Sequence, residues 1–194
     1  AKPMLQGITL TMIRILLATL CFAMPAYAQH LEFISQIELQ SSDDKFGGLS
    51  GIHVYDGGET FLAVSDSGRF QSGTIERTDG RLSGGQLNPL DRMIGVNGTR
   101  YTGTDADAEG IAVDRAGNIF VSFEHNHRVR MFTTTNMAAR SITGARAFKS
   151  LQTNSGLEAL AVSAQGHLYT LPERSGAENR PFPLWRAAKG TWET

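Results

Sequence analysis

Acidic side chains recur at matching places along this chain, and their spacing is the first hint of chemistry. Glu109 and Glu158 each sit at the start of a short apolar run, Ala108-Glu109-Gly110-Ile111-Ala112-Val113 and Leu157-Glu158-Ala159-Leu160-Ala161-Val162. An earlier segment, Gly48-Leu49-Ser50-Gly51-Ile52-His53-Val54, has Ser50 at that position. A second set, Asp66, Glu124 and Glu173, ends the next run of each copy, with Arg69, Arg128 and Arg174 close behind. Carboxylates gathered from several segments form an oxygen-rich cage that suits a hard cation such as calcium. Gathered without a cation, they repel and raise one another's pKa. The competing expectation is structural: each acid of the second set pairs with its arginine and fixes a loop. For Glu109 and Glu158 the ligand role is favoured, because no basic residue stands close to Glu158 in sequence.

Glu124-His125-Asn126-His127-Arg128 is the most polar cluster in the chain. Histidines two residues apart on an extended strand project to one side, where they could serve a transition metal or acid–base work. With no third ligand in evidence from sequence, two exposed loop histidines are the favoured expectation. Ser65-Asp66-Ser67-Gly68 lacks the G-x-S-x-G pattern of a nucleophile elbow. Asp105-Ala106-Asp107-Ala108-Glu109-Gly110 superficially resembles a calcium loop, without the glycine and distal glutamate of an EF-hand.

The elements that must carry these residues are repeated. Each segment bearing the first position leads through a turn into a second apolar run: Asp56-Gly57-Gly58 into Phe61–Val64, Asp114–Asn118 into Ile119–Ser122, and Ser163–Gly166 into Leu168–Leu171. Short β-branched and aromatic runs about a glycine turn predict β-hairpins. A third strand is expected in each copy, at Thr74–Arg77, Val129–Phe132 and Pro183–Arg186. Gly51 and Gly110 are 59 residues apart, and Gly110 and Ala159 are 49 apart. Repeats of this length with about four short strands mark propeller blades. The expected fold is therefore all-β and β-propeller-like, with about three four-stranded blades. A closed ring takes four to eight blades, so the propeller is expected to be incomplete, its sequence stopping as a fourth strand begins. In such a fold the first strand of each blade lines the central channel, which would bring the acids together. Trp185 and Trp192 are expected in the core.

Composition narrows the function classes. The chain has 194 residues with 41% hydrophobic content, enough for one good core. Its 18 basic and 19 acidic residues contain no basic run, which argues against nucleic-acid binding through phosphates. Met12-Ile13-Arg14, the apolar stretch Ile15–Met24 and Ala26-Tyr27-Ala28 predict a secretory signal cleaved before Gln29. Residues 1–28 are thus read as upstream residues plus signal, and 29–194 as the propeller domain. The apolar stretch is shorter than the ~20 residues that span a bilayer, so no stable membrane insertion is expected after cleavage. The single cysteine, Cys21, falls in this segment. Disulfides and thiolate chemistry are then excluded from the mature domain, and the expected location is periplasmic or secreted.

A family resemblance rests on these same residues. Phe46–Ile52, Phe61–Asp66, Asp107–Ala112, Val121–Glu124, His127-Arg128-Val129 and Gly156–Ala161 resemble the phytase-like domain family, whose members are called "esterase-like activity of phytase" proteins. The resemblance implies a bacterial exported β-propeller and a hydrolase acting on phosphate or other esters. It further implies calcium held by Glu109, Glu158 and their neighbours Asp66, Glu124 and Glu173. Arg69, Arg128 and Arg174, with His125 and His127, would then grip a small anionic ester. A propeller that binds a ligand or partner protein without catalysis is the alternative from another class.

Overall fold

The computed structural model describes residues 32–142, 144, 146–188 and 191–193. The export segment expected over residues 1–28 lies outside the described residues. So does part of the turn expected at Ala188-Lys189-Gly190, whose last two residues are not described. Among the described residues no helix is long and apolar enough to cross a membrane.

Each copy forms an antiparallel sheet whose strands follow sequence order. The first holds β1 (Leu49–Val54), β2 (Thr60–Ser65), β3 (Arg69–Thr78) and β4 (Arg81–Leu87), with β5 (Asp91–Arg92) added to β3. The second holds β6 (Ala108–Val113), β7 (Ile119–Phe123), β8 (Arg128–Phe132) and β9 (Arg140–Ser141). The third holds β10 (Leu157–Val162), β11 (Leu168–Pro172), β12 (Trp185–Ala188) and β13 (Thr191–Glu193). This is the all-β, incomplete propeller arrangement that the repeats predict.

Turn chemistry sets the hairpins. Asp79 and Gly80 both have positive φ, at 51° and 76°, the signature of a two-residue turn whose twist matches its strands. In the second copy Asp114 Oδ1 accepts hydrogen bonds from the amides of Ala116 and Asn118, at 2.9 Å each. Two strand limits differ from expectation. β12 starts at Trp185 rather than Pro183, since proline has no N–H to give to a ladder. The third copy also has its fourth strand, β13, where only a beginning was expected.

The cores lie between sheets, as they do between blades. Ile119, Val121 and Phe123 of β7 pack with Leu62, Val64, Phe70 and Met93 in one cluster. Phe120 of the same strand packs with Leu157, Leu168 and Trp185 in the other. The two-residue period of β7 thus feeds both cores, and all five of its residues are buried. Trp185 is in the core and Trp192 packs against its edge.

The first strands of the three sheets lie side by side, β1 against β6 and β6 against β10. Glycine permits the approach: a Cβ at Gly51 would stand 2.7 Å from the Glu109 carbonyl oxygen, and one at Gly110 would stand 2.9 Å from that of Glu158.

Candidate functional site

One register irregularity recurs in all three first strands. Between Leu49 and Gly51, Ala108 and Ile111, and Leu157 and Ala159, the strand carries one more residue than its partner. A bulge of this kind re-aims the extra side chain and is common beside active sites. The residues at these bulges are Ser50, Glu109 and Glu158. Ser50 ties its hydroxyl to the Ala108 carbonyl of the next sheet, while the later copies place carboxylates there.

The second set of acids is fixed by a shared backbone bond. The amides of Asp66, Glu124 and Glu173 donate to the carbonyls of Gly48, Asp107 and Gly156, at 3.0, 2.9 and 3.0 Å. Each acid is thereby held beside the start of its own sheet's first strand. Glu124 is also tied across sheets, its Oε1 accepting the Gly156 amide at 3.2 Å.

Side chains from the second and third sheets converge here. One carboxylate oxygen from each of Glu124, Glu158 and Glu173 lies within 4.8 Å of the other two. Burial and the neighbouring charges of Glu158 and Asp107 push Glu109 up to about 8. Burial, then the charges of Glu124 and Glu173, raise Glu158 as well. Glu109 and Glu158 therefore face the same region, not opposite surfaces. Asp66 is not among these convergent ligand atoms; its carboxylate lies over Gly48, where an added Cβ would overlap it.

Two residues join the cluster that the repeat did not single out. His125 Nε2 lies 3.0 Å from Asp107 Oδ2 and 3.9 Å from Glu124 Oε2. Asp107 occupies a position held by glycine in the other two copies, Gly48 and Gly156, so no repeated signal marks it. His125 has a positive φ of 54° within a turn spanning 124–127. That turn corrects the premise of an extended strand with both histidines on one side. His127 instead places Nε2 3.0 Å from the Gln152 carbonyl, and burial lowers its pKa.

The arginines divide. Arg128 is buried, donates to the carbonyls of Asn126 and Asp105, and lies 4.1 Å from the centre of the Phe123 ring. Arg69 is buried too and bonds the Ser67 hydroxyl at 2.6 Å. Among the described residues neither pairs with the acid of its own copy. Arg174 does, its Nε standing 3.6 Å from Glu173 Oε2 at the exposed edge of the cluster.

The donor set is all oxygen at the Glu124–Glu158–Glu173 group. Atoms on opposite sides of a calcium ion with bonds of about 2.3–2.6 Å lie roughly 5 Å apart, so oxygens within 4.8 Å of one another fit around one. The raised values of Glu109 and Glu158 record burial first and mutual repulsion second, and a cation would offset the repulsion.

A search of curated proteins finds no match to this chain. Residues 44–193 match the family model described as Phytase-like: Esterase-like activity of phytase. The matched span takes in all three sheets and every carboxylate of the cluster, and the chain belongs to that phytase-like family.

Proposed function

We propose that this chain is an exported hydrolase of phosphate or other esters that works with calcium at its carboxylate cluster. The observation carrying this proposal is the approach of Glu124, Glu158 and Glu173, drawn from two sheets, to within 4.8 Å. Family membership supports the hydrolase reading. The residues Ala26-Tyr27-Ala28 support export to the periplasm or beyond.

Glu124, Glu158 and Glu173 would hold the ion, with Glu109 beside them. Bound calcium supplies positive charge that offsets the ester oxygens and favours attack by water. The protein's own groups do the rest. Glu124 is kept in place by the Gly156 amide, so its second oxygen is presented in a fixed direction. Glu109 shares a hydrogen bond with Asp107 and retains a proton at neutral pH in the absence of a cation. Arg174, exposed at the cluster's edge, is placed to take an oxygen of an anionic ester. Arg69 and Arg128 hold loops instead, since their guanidinium groups are committed to neighbouring protein oxygens.

The test is hydrolysis of p-nitrophenyl phosphate and p-nitrophenyl acetate, in calcium and in chelator. Turnover of at least one ester is expected, falling in chelator. Glu158→Gln is expected to lose turnover by about a hundredfold while its melting curve stays cooperative. Failure to turn over either ester under both conditions would favour the non-catalytic binding propeller.

A further inference from the structure

Beyond the carboxylates, the loop joining β11 to β12 encloses a cavity of about 360 Å³ against Ser150–Gln152. Small-molecule sites run from roughly 300 to 1,000 Å³. Pro181, Pro183 and the Trp185 ring give the cavity apolar walls, and Arg174 and Arg180 give it positive charge. No carboxylate lines it among the described residues. Arg180 is exposed and has no acidic partner among them.

The aromatic wall of the cavity is firmly packed. Trp185 is only 3% exposed, and its indole N–H is a buried donor with no acceptor among the described residues. Buried donors in folded proteins are normally paired, by protein, water or ligand. Trp185 thus gives the cavity a ring wall, and the two guanidinium groups supply its cationic donors.

A neighbouring cavity of the same size shares Gln152 and Arg174 with the first and is lined by the carboxylates Glu173 and Glu178. Glu173 belongs to the convergent carboxylate group. One groove thus leads from that group to Arg180 and Trp185.

We propose that the Arg180–Trp185 end of this groove, away from Glu173 and Glu178, is a binding subsite for an anionic group carried on a small apolar body. Guanidinium groups grip carboxylate or phosphate oxygens in pairs, while the proline and indole faces cover a flat apolar portion. The role as the seat of the ester's non-reacting end rests on the hydrolase reading above; the binding itself does not.

The experiment is calorimetric titration of the full chain with 1-naphthoate and with neutral 1-naphthol, both in chelator. Naphthoate is expected to bind, with naphthol weaker by about tenfold or more. Arg180→Met is expected to weaken naphthoate by a similar factor and to leave the melting temperature and its response to calcium unchanged. Equal binding of the two probes, absence of naphthoate binding in chelator, or full affinity in Arg180→Met would each overturn the subsite. Naphthoate binding that persists in a protein that turns over neither nitrophenyl ester would sink the hydrolase reading and leave the subsite standing.

Discussion

Arg69, Arg128 and Arg174 follow the second acid of their copies by three, four and one residues, and their side chains meet different surroundings. Arg128 is covered by the Phe123 ring and ends on two carbonyls. Arg174 ends in solvent beside Glu173. Hydrogen bonds to a charged group contribute about 1.5–3 kcal/mol each, and a buried ring contact adds more. Arg128→Ala is therefore expected to cost about 3 kcal/mol by urea unfolding, while Arg174→Ala changes stability by under about 0.5 kcal/mol. The spacing itself separates these cases, because Arg174 directly follows its acid whereas Arg69 and Arg128 open the next strand. The acids themselves were legible. Glu109 and Glu158 share a repeat position, and a repeated position implies a repeated place in the fold. Asp107 and His125 were not, since the first has glycine counterparts and the second points inward only through a left-handed turn residue.

At the level of strands, the site depends on how closely β1, β6 and β10 approach. Gly51 and Gly110 keep side chains out of the contact, and the bulge next to them turns Ser50, Glu109 and Glu158 out of the ladder. A methyl at Gly110 would meet the Glu158 carbonyl at 2.9 Å and Ser122 Oγ at 2.7 Å. Overpacking of this kind costs about 1–3 kcal/mol. Gly110→Ala is expected to lower the melting temperature and also weaken any stabilisation by calcium, because β6 and β10 carry Glu109 and Glu158. Retention of full calcium stabilisation in a destabilised Gly110→Ala would show that strand spacing does not set the site. Hairpins were legible from glycine turns flanked by apolar runs. The two-residue β9 was not, being too short to show any alternation.

For the whole molecule, the converged acids make stability depend on pH. Glu109 has a folded value of about 8 against 4.5 when unfolded, and Glu158 is shifted the same way. A carboxyl whose value is raised by folding stabilises the protein while protonated. That contribution is complete below about 4.5 and is lost as pH rises through 8. His127 acts in the opposite sense below its ordinary value of 6.5, so the informative window begins there. Three sheets and their shared cores were readable from repeated apolar runs. The closeness of the acids was not, since it depends on bulges that periodicity alone does not reveal.

The most direct test is the melting temperature of the wild-type chain from pH 6.5 to 9, once in chelator and once in millimolar calcium. In chelator the curve is expected to fall as Glu109 and Glu158 lose their protons. In calcium the fall should be much smaller, and the gap between the curves should widen with pH as the ionised acids bind the ion. Two curves that superimpose across this range would contradict a cation site at Glu109, Glu124, Glu158 and Glu173.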